Sequence, residues 1–281
     1  MKIPRRQFLQ SLGATVLSTQ AGARNGAVRI GVCRPPKDLA EAVRFGFDYL
    51  EPAAATIAEM DEPAFQAFKS EVFASPIRCE SLNSFIRKLR VVGDDVHEAE
   101  LEAYVETTLE RCRQLGASVV VWGSGSSRDV EEGYSRDRAW EQIRTFLRMA
   151  GDIARPKGIV VAIEPLRRKE SNILNTGAEA LRMVRDAHHP NVKMIIDYFH
   201  LREENEDPEI IWTARKQIVH FHFANPHGRV WPAQPSEDSE YAQFFSLVEK
   251  IKFRGGISIE ARGTFEHDAA ASLAFFRHEF S

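Results

Sequence analysis

The chain has 281 residues, of which 43% are hydrophobic and 27% charged, so it can bury a large core and disorder by composition is excluded. A formal net charge of −3, with 37 Lys and Arg scattered along the chain, leaves no basic stripe for a phosphate backbone and argues against nucleic acid as a partner. Cys33, Cys79 and Cys112 form no Cys-x-x-Cys pair and sit in apolar-periodic stretches, where they read as small buried hydrophobes outside any disulfide framework.

Arg5-Arg6 stands ahead of Phe8-Leu9, followed by a weakly apolar stretch from Leu12 to Leu17 and then Ala21-Gly22-Ala23. Twin arginine, apolar run and small-residue cleavage site in that order predict a twin-arginine export signal over residues 1–24, with the mature protein exported to the periplasm. No later run approaches the ~18 apolar residues of a membrane span, so no membrane partner is expected. Residues 27–281 remain, close to the ~250 typical of a single eight-unit α/β barrel.

Across them, short apolar runs alternate with longer amphipathic ones, the pattern of repeated βα units. The predicted strands are Val28–Cys33, Asp48–Glu51, Ile77–Leu82, Ser118–Trp122, Ile159–Glu164, Val192–Asp197, Ile218–Phe223 and Gly256–Glu260. Several are rich in Val and Ile without polar alternation, as strands buried on both faces are. Between the third and fourth, Leu101, Tyr104, Val105, Thr108, Leu109 and Cys112 follow helical spacing, and Gly116 is placed to stop the helix. Trp140, Ile143, Phe146, Leu147 and Ile153 repeat that spacing until Pro156-Lys157-Gly158 breaks it before the fifth strand. No Gly-x-Gly-x-x-Gly follows an early strand, which counts against a two-domain doubly wound fold. The reading is therefore α/β, a single-domain (β/α)8 TIM barrel behind an export signal.

The last four predicted strands end on chemistry. Glu164 follows Ile159 to Ile163, Asp197 follows Met194-Ile195-Ile196, His222 follows Val219-His220-Phe221, and Glu260 follows Ile257-Ser258-Ile259. In a closed parallel barrel the carboxyl ends of the strands converge on one face, so these groups share a point. A single acidic residue there reads as a helix cap, and a lone histidine as a satisfied core residue. Four in succession beside apolar core, where an unpaired carboxylate costs several kcal/mol, read as ligands of one divalent metal ion. The donor set suits Mn2+ first, with Mg2+ or Co2+ as alternatives, over a thiolate-preferring ion.

The run Ile163-Glu164-Pro165-Leu166-Arg167-Arg168-Lys169-Glu170-Ser171-Asn172-Ile173-Leu174-Asn175-Thr176 resembles the fifth-strand motif of the sugar phosphate isomerase/epimerase family, which has a xylose isomerase-like barrel. Within it, the ketose 3-epimerases are the closest pattern. Asp197-Tyr198-Phe199-His200 resembles their Asp-x-x-His, His220-Phe221-His222 their His-x-His, and Ser258-Ile259-Glu260 their final strand. After the His-x-His those enzymes carry a Glu and an Asn-Arg pair; here the chain runs Ala224-Asn225-Pro226-His227-Gly228-Arg229, with Arg229 standing for the substrate-binding arginine. Asn172 replaces a histidine of close relatives.

The resemblance implies a divalent-metal isomerase or epimerase acting on a ketose or related keto-sugar through a metal-stabilised enediolate. Glu164, Asp197, His222 and Glu260 would hold the metal, Glu164 and Glu260 would move the proton, and Glu170, His200 and Arg229 would bind the sugar. Trp122 and Phe85 read as core, with a sugar-facing wall as the alternative. The same metal and intermediate would also serve a lyase or dehydratase acting on a keto-sugar, inosose or 3-keto-glycoside, which differs in expelling a β-leaving group. A small sugar is the expected partner, and a homo-oligomer stays open as the assembly.

Overall fold

A computed structural model describes residues 28–281, and among these residues every strand pairs in parallel with its neighbours, in the order β2-β1-β8-β7-β6-β5-β4-β3. The expected leader, residues 1–24, lies outside the described residues. The first half of the chain contributes β1 (Arg29–Cys33), α1 (Leu39–Phe45), β2 (Tyr49–Glu51), α2 (Ala54–Glu59), α3 (Glu62–Ala74), β3 (Ser81–Leu82), α4 (Glu98–Gln114) and β4 (Val119–Trp122). After α5 (Gly125–Arg128) and α6 (Arg136–Ala154) come β5 (Val160–Ile163), α7 (Gly177–Ala187), β6 (Val192–Asp197), α8 (Tyr198–Glu203) and α9 (Ile210–Ala214). The chain then runs through β7 (Ile218–Phe223), α10 (Tyr241–Lys250), β8 (Gly256–Ile259) and α11 (Phe265–Glu279). The ring is nearly closed by the bridges Tyr49↔Arg78 and Ala53↔Asn83 between the β2 and β3 segments.

The helices form where the periodicity places them. Leu101, Val105, Leu109 and Cys112 bury one face of α4, and Gly116, at φ +96°, turns the chain out of it. Ser135 Oγ accepts from Arg138 N at 3.3 Å to cap α6, whose Ile143, Phe146, Leu147, Ala150 and Ala154 face the sheet. Around β6, β7 and the last two helices, Tyr198, Phe223, Tyr241, Phe244 and Phe276 form an aromatic block, with Tyr198 and Phe223 stacked 4.5 Å apart. Each such buried ring stabilises the fold by ~1.5–3 kcal/mol. Among the described residues, no helix is long and apolar enough to cross a membrane.

Inside the barrel, Tyr49 is fully buried and its hydroxyl lies 2.8 Å from Ser258 Oγ. Gly31 leaves room for the ring, because a Cβ there would lie 2.1 Å from Tyr49. Five predicted strands lose one or two end residues, and one is cut far more: Ile77–Leu82 narrows to Ser81–Leu82. Arg78 folds its guanidinium back onto the carbonyls of Val72, Ser75 and Ile77, which holds the start of the segment in a turn. Glu164 and Glu260 lie one residue beyond their strands.

Candidate metal centre

Glu164, Asp197, His222 and Glu260 each present a donor atom to one small space, and the four atoms lie within 4.8 Å of one another. His222 Nδ1 stands 3.0 Å from Glu164 Oε1 and 3.0 Å from Glu260 Oε2. Asp197 spends Oδ1 on the backbone N–H of Phe199 at 2.8 Å, which caps α8, and keeps Oδ2 for the site. Asp197 Oδ2 is buried without a hydrogen-bond partner among the described residues, and Glu260 Oε2 is held in ion-pair contact with Arg229 and His222, each at 3.0 Å. Three buried carboxylates crowded beside an imidazole nitrogen, one of them with an oxygen that makes no hydrogen bond, fit a hard divalent cation, which would offset their charge.

The electrostatics of the cluster follow from its geometry. Burial pushes the Asp197 carboxyl up to about 7, against the pull of Arg229 and with the push of Glu164 and Glu260. Glu260 is also penalised by burial, but the Arg229 guanidinium at 3.0 Å and His222 outweigh it and hold the carboxyl down to about 2. Burial alone would depress the His222 imidazole; the surrounding Glu51, Cys33, Glu164 and Glu260 raise it well above its usual range.

Two residues that sequence reasoning passed over support this cluster. Glu51, at the end of β2 and wholly buried, accepts from His222 Nε2 at 2.9 Å with one oxygen and from His220 Nε2 at 2.9 Å with the other. Ser258 Oγ also donates to it. Burial opposes its charge, yet the two imidazoles hold it well below the usual carboxylate range. Cys33, read from sequence as a buried hydrophobe, is instead half-buried at the end of β1, with Sγ 4.0 Å from His222 Nε2. Cys79 and Cys112 are buried in the core as expected. Glu51 carries the same signal as the four expected ligands, an acid ending an apolar strand; Cys33 carries none.

The expected sugar-binding residues also converge. His200 accepts from Arg167 N at Nδ1 (3.2 Å), and its Nε2 lies 3.5 Å from Asp197 Oδ2 and 4.0 Å from Glu170 Oε2. Burial and the Arg229 charge press its pKa well below the usual value, so the ring is neutral and carries its proton on Nε2. Arg229 reaches the cluster from a tight turn in which His227 N bonds Asn225 Oδ1 at 2.8 Å and Arg229 itself has φ +56°. Its guanidinium lies 3.6 Å from Glu170 Oε2 and 3.6 Å from Asp197 Oδ2, over the ring of Phe199. Asn172 ties two loops together through Val130 N and Val130 O, a structural role.

Glu164 is set from behind. Arg128, fully buried, donates to Trp122 O at 3.0 Å and to Glu164 O at 2.7 Å. Gly123 opens the notch for its carboxylate, since a Cβ there would lie 1.6 Å from Glu164 Oε2. Trp122 and Phe85 are wholly buried and pack against Phe146, so both are core residues and neither faces the site.

A family model described as a xylose isomerase-like TIM barrel matches residues 39–279. The chain is 30% identical over 233 residues to the L-ribulose 3-epimerase of Methylomonas sp., covering 80% of this chain and 77% of that protein. It is 26% identical over 261 residues to the 3-dehydro-D-guloside 4-epimerase of Escherichia coli, covering 86% of this chain and 95% of the relative. The crystal structure of D-psicose 3-epimerase with D-tagatose from Clostridium cellulolyticum superposes with a TM-score of 0.79 at 19% identity, over 90% of this chain and 100% of that one; it shares the fold.

Proposed function

The chain belongs to the xylose isomerase-like TIM barrel family, and from that premise we propose that it is a divalent-metal-dependent epimerase of a ketose or related keto-sugar. Sugar epimerases are the relatives it matches. The observation that carries the reading is the convergence of four donor atoms within 4.8 Å, flanked by Glu170, His200 and Arg229. A divalent cation held by Glu164, Asp197, His222 and Glu260 would act as a Lewis acid on the sugar's carbonyl and adjacent hydroxyl, easing loss of the neighbouring C–H proton.

The protein's own groups do the rest. Glu164 and Glu260 each bring a carboxylate oxygen to 3.0 Å from His222 Nδ1, and in this reading one carboxylate takes the proton and the other returns one to the opposite face. Arg229 holds Glu260 in its basic form. His200, neutral and with Nδ1 already occupied, has Nε2–H left to donate to a sugar oxygen. Glu170 and Arg229 orient hydroxyl groups, one as acceptor and the other as donor. We also propose that residues 1–24 direct export by the twin-arginine route to the periplasm.

The test is proton exchange in D2O. The Mn2+-loaded protein, incubated with a panel of ketoses and 3-keto-glycosides, is expected to incorporate deuterium beside the carbonyl and yield an epimer, and chelation should abolish both. An elimination product would identify a lyase instead. Metal-loaded protein that exchanges no proton on any of them would end the reading.

A further inference from the structure

The residues assigned so far to the metal and sugar come from the half of the barrel mouth formed by β5 to β8. The cluster opens at Glu260 and Arg229 into a cavity of about 400 Å3 that continues over the opposite half, walled by the segments after β1, β2 and β3 and by the end of β8. A sugar gripped at the cluster has this cavity as the space for its remaining carbons. The far wall is basic, carrying Arg34 after β1, Arg87 after β3 and Arg262 after β8.

These arginines differ in how they are satisfied. Arg34 is neutralised by Asp38 at 2.7 Å. Arg87 donates to Thr56 Oγ1 at 3.2 Å, and among the described residues neither Arg87 nor Arg262 has a carboxylate within ion-pair distance. Other exposed arginines, such as Arg136, Arg215 and Arg254, also lack one, but each of those donates to a backbone carbonyl, whereas Arg87 and Arg262 line this cavity. The Arg262 backbone is tied to the turn that delivers Arg229 to the cluster: its N–H donates to Arg229 O at 2.7 Å, and it bridges to Val230. Ser84, on the same wall, has φ +48°, a conformation that a non-glycine residue adopts at some cost and that gathers at working sites. Arg87 and Arg262 thus place two guanidinium groups without a carboxylate partner on the wall across the cavity mouth from the Glu51 and Glu260 carboxylates.

We infer that the substrate carries an anionic group, a carboxylate or a phosphate, at the end away from the metal-binding carboxylates, and that Arg87 and Arg262 receive it. The inference rests on the keto-sugar reading above. A neutral hydroxymethyl group gives a guanidinium an ordinary hydrogen bond. An oxyanion gives a charge-assisted bond roughly twice as strong, and the guanidinium fork matches carboxylate and phosphate oxygens in pairs.

The test compares D-fructose, D-fructuronate and D-fructose 6-phosphate, which are identical from C1 to C5 and differ at C6. Deuterium exchange beside the carbonyl is followed in the Mn2+-loaded wild type, Arg87→Gln and Arg262→Gln. Binding of the non-reacting methyl β-D-glucoside, methyl β-D-glucuronide and methyl β-D-glucoside 6-phosphate is measured by calorimetry in parallel. At least one anionic ketose should exceed fructose in kcat/KM by about tenfold or more, equivalent to ~1.4 kcal/mol. Each Gln variant should lose about tenfold more on that ketose than on fructose, and the preference should shrink as salt rises. Whichever of the two ketoses leads identifies carboxylate or phosphate. Equal kcat/KM for all three, or variants that affect all three alike, would overturn the anionic site while leaving the epimerase reading intact. If no ketose exchanged but a charged glycoside bound tenfold more tightly than the neutral one, and only with both arginines present, the epimerase reading would fall and the anion site would stand.

Discussion

Glu51 accepts a hydrogen bond from His222 Nε2 at 2.9 Å, and that contact leaves Nδ1 as the nitrogen facing Glu164 and Glu260. The carboxylate is wholly buried and shared with His220, so it fixes the orientation of both rings of the His-x-His. Replacing Glu51 by Gln keeps the shape but leaves one oxygen acceptor for two imidazole donors. Metal affinity, measured by titration of the chelated protein with Mn2+, should fall ~10–100-fold, the usual effect of losing a ligand's supporting carboxylate. A folded Glu51→Gln protein with undiminished affinity would remove Glu51 from the metal centre.

Gly123 gives Glu164 its place, because a Cβ there would fall 1.6 Å from Glu164 Oε2. In Gly123→Ala the carboxylate must swing away. Displacement of a catalytic group by about 1 Å can cost ~10²-fold in rate, so metal occupancy and turnover should drop together in a protein that still melts cooperatively. Elemental analysis beside a thermal melt separates this outcome from simple unfolding.

Glu164→Gln and Glu260→Gln keep an oxygen able to touch a metal, but neither amide accepts a proton at neutral pH. Each should slow deuterium incorporation beside the carbonyl by ~10²–10⁴, the range for loss of a general base. Metal content is checked in each variant. Two metal-loaded variants exchanging at the wild-type rate would show that another group moves the proton.

Asp238 links the outer layer to the site, accepting from the Tyr198 hydroxyl at 2.5 Å, with Arg202 Nε 3.3 Å away. Burial opposes its charge, but the Tyr198 hydroxyl, the Glu240 N–H and Arg202 hold its carboxyl below the usual aspartate range. A carboxyl depressed in the folded state contributes stability above its unfolded pKa of ~3.9 and loses it as pH falls through the lower folded value. Asp238→Asn should therefore cost ~1–3 kcal/mol at pH 7, and the deficit should shrink only below about pH 4. Urea unfolding of both proteins across that range measures it; a deficit that stays constant into acid would mean the charge contributes nothing.

Replacing Arg5-Arg6 by Lys-Lys should retain the protein in the cytoplasm if residues 1–24 are a twin-arginine signal. Cell fractionation with the unaltered chain alongside gives the answer, and undiminished export of the Lys-Lys chain would point to a different route.

The sequence by itself determined the eight strands and the convergence of the expected ligands. Strand burial on both faces is written locally, as apolar runs such as Val119–Trp122 and Val160–Ile163, and parallel closure then carries the carboxyl ends of the strands to one face. Glu164, Asp197, His222 and Glu260 could be placed together from that rule alone. What each strand-end group does there was decided only by tertiary structure. Glu51 stands at the end of an apolar strand much as Glu164 does, yet His222 and His220 engage both of its oxygens, whereas Asp197 Oδ2 makes no hydrogen bond among the described residues. The turn of Cys33 toward His222, the Gly123 notch and the meeting of Arg34, Arg87 and Arg262 on one wall join residues far apart in the chain. Periodicity and apolarity are properties of neighbours in sequence, while the height and direction of a side chain inside a closed barrel depend on the stagger of all eight strands, which no short segment encodes.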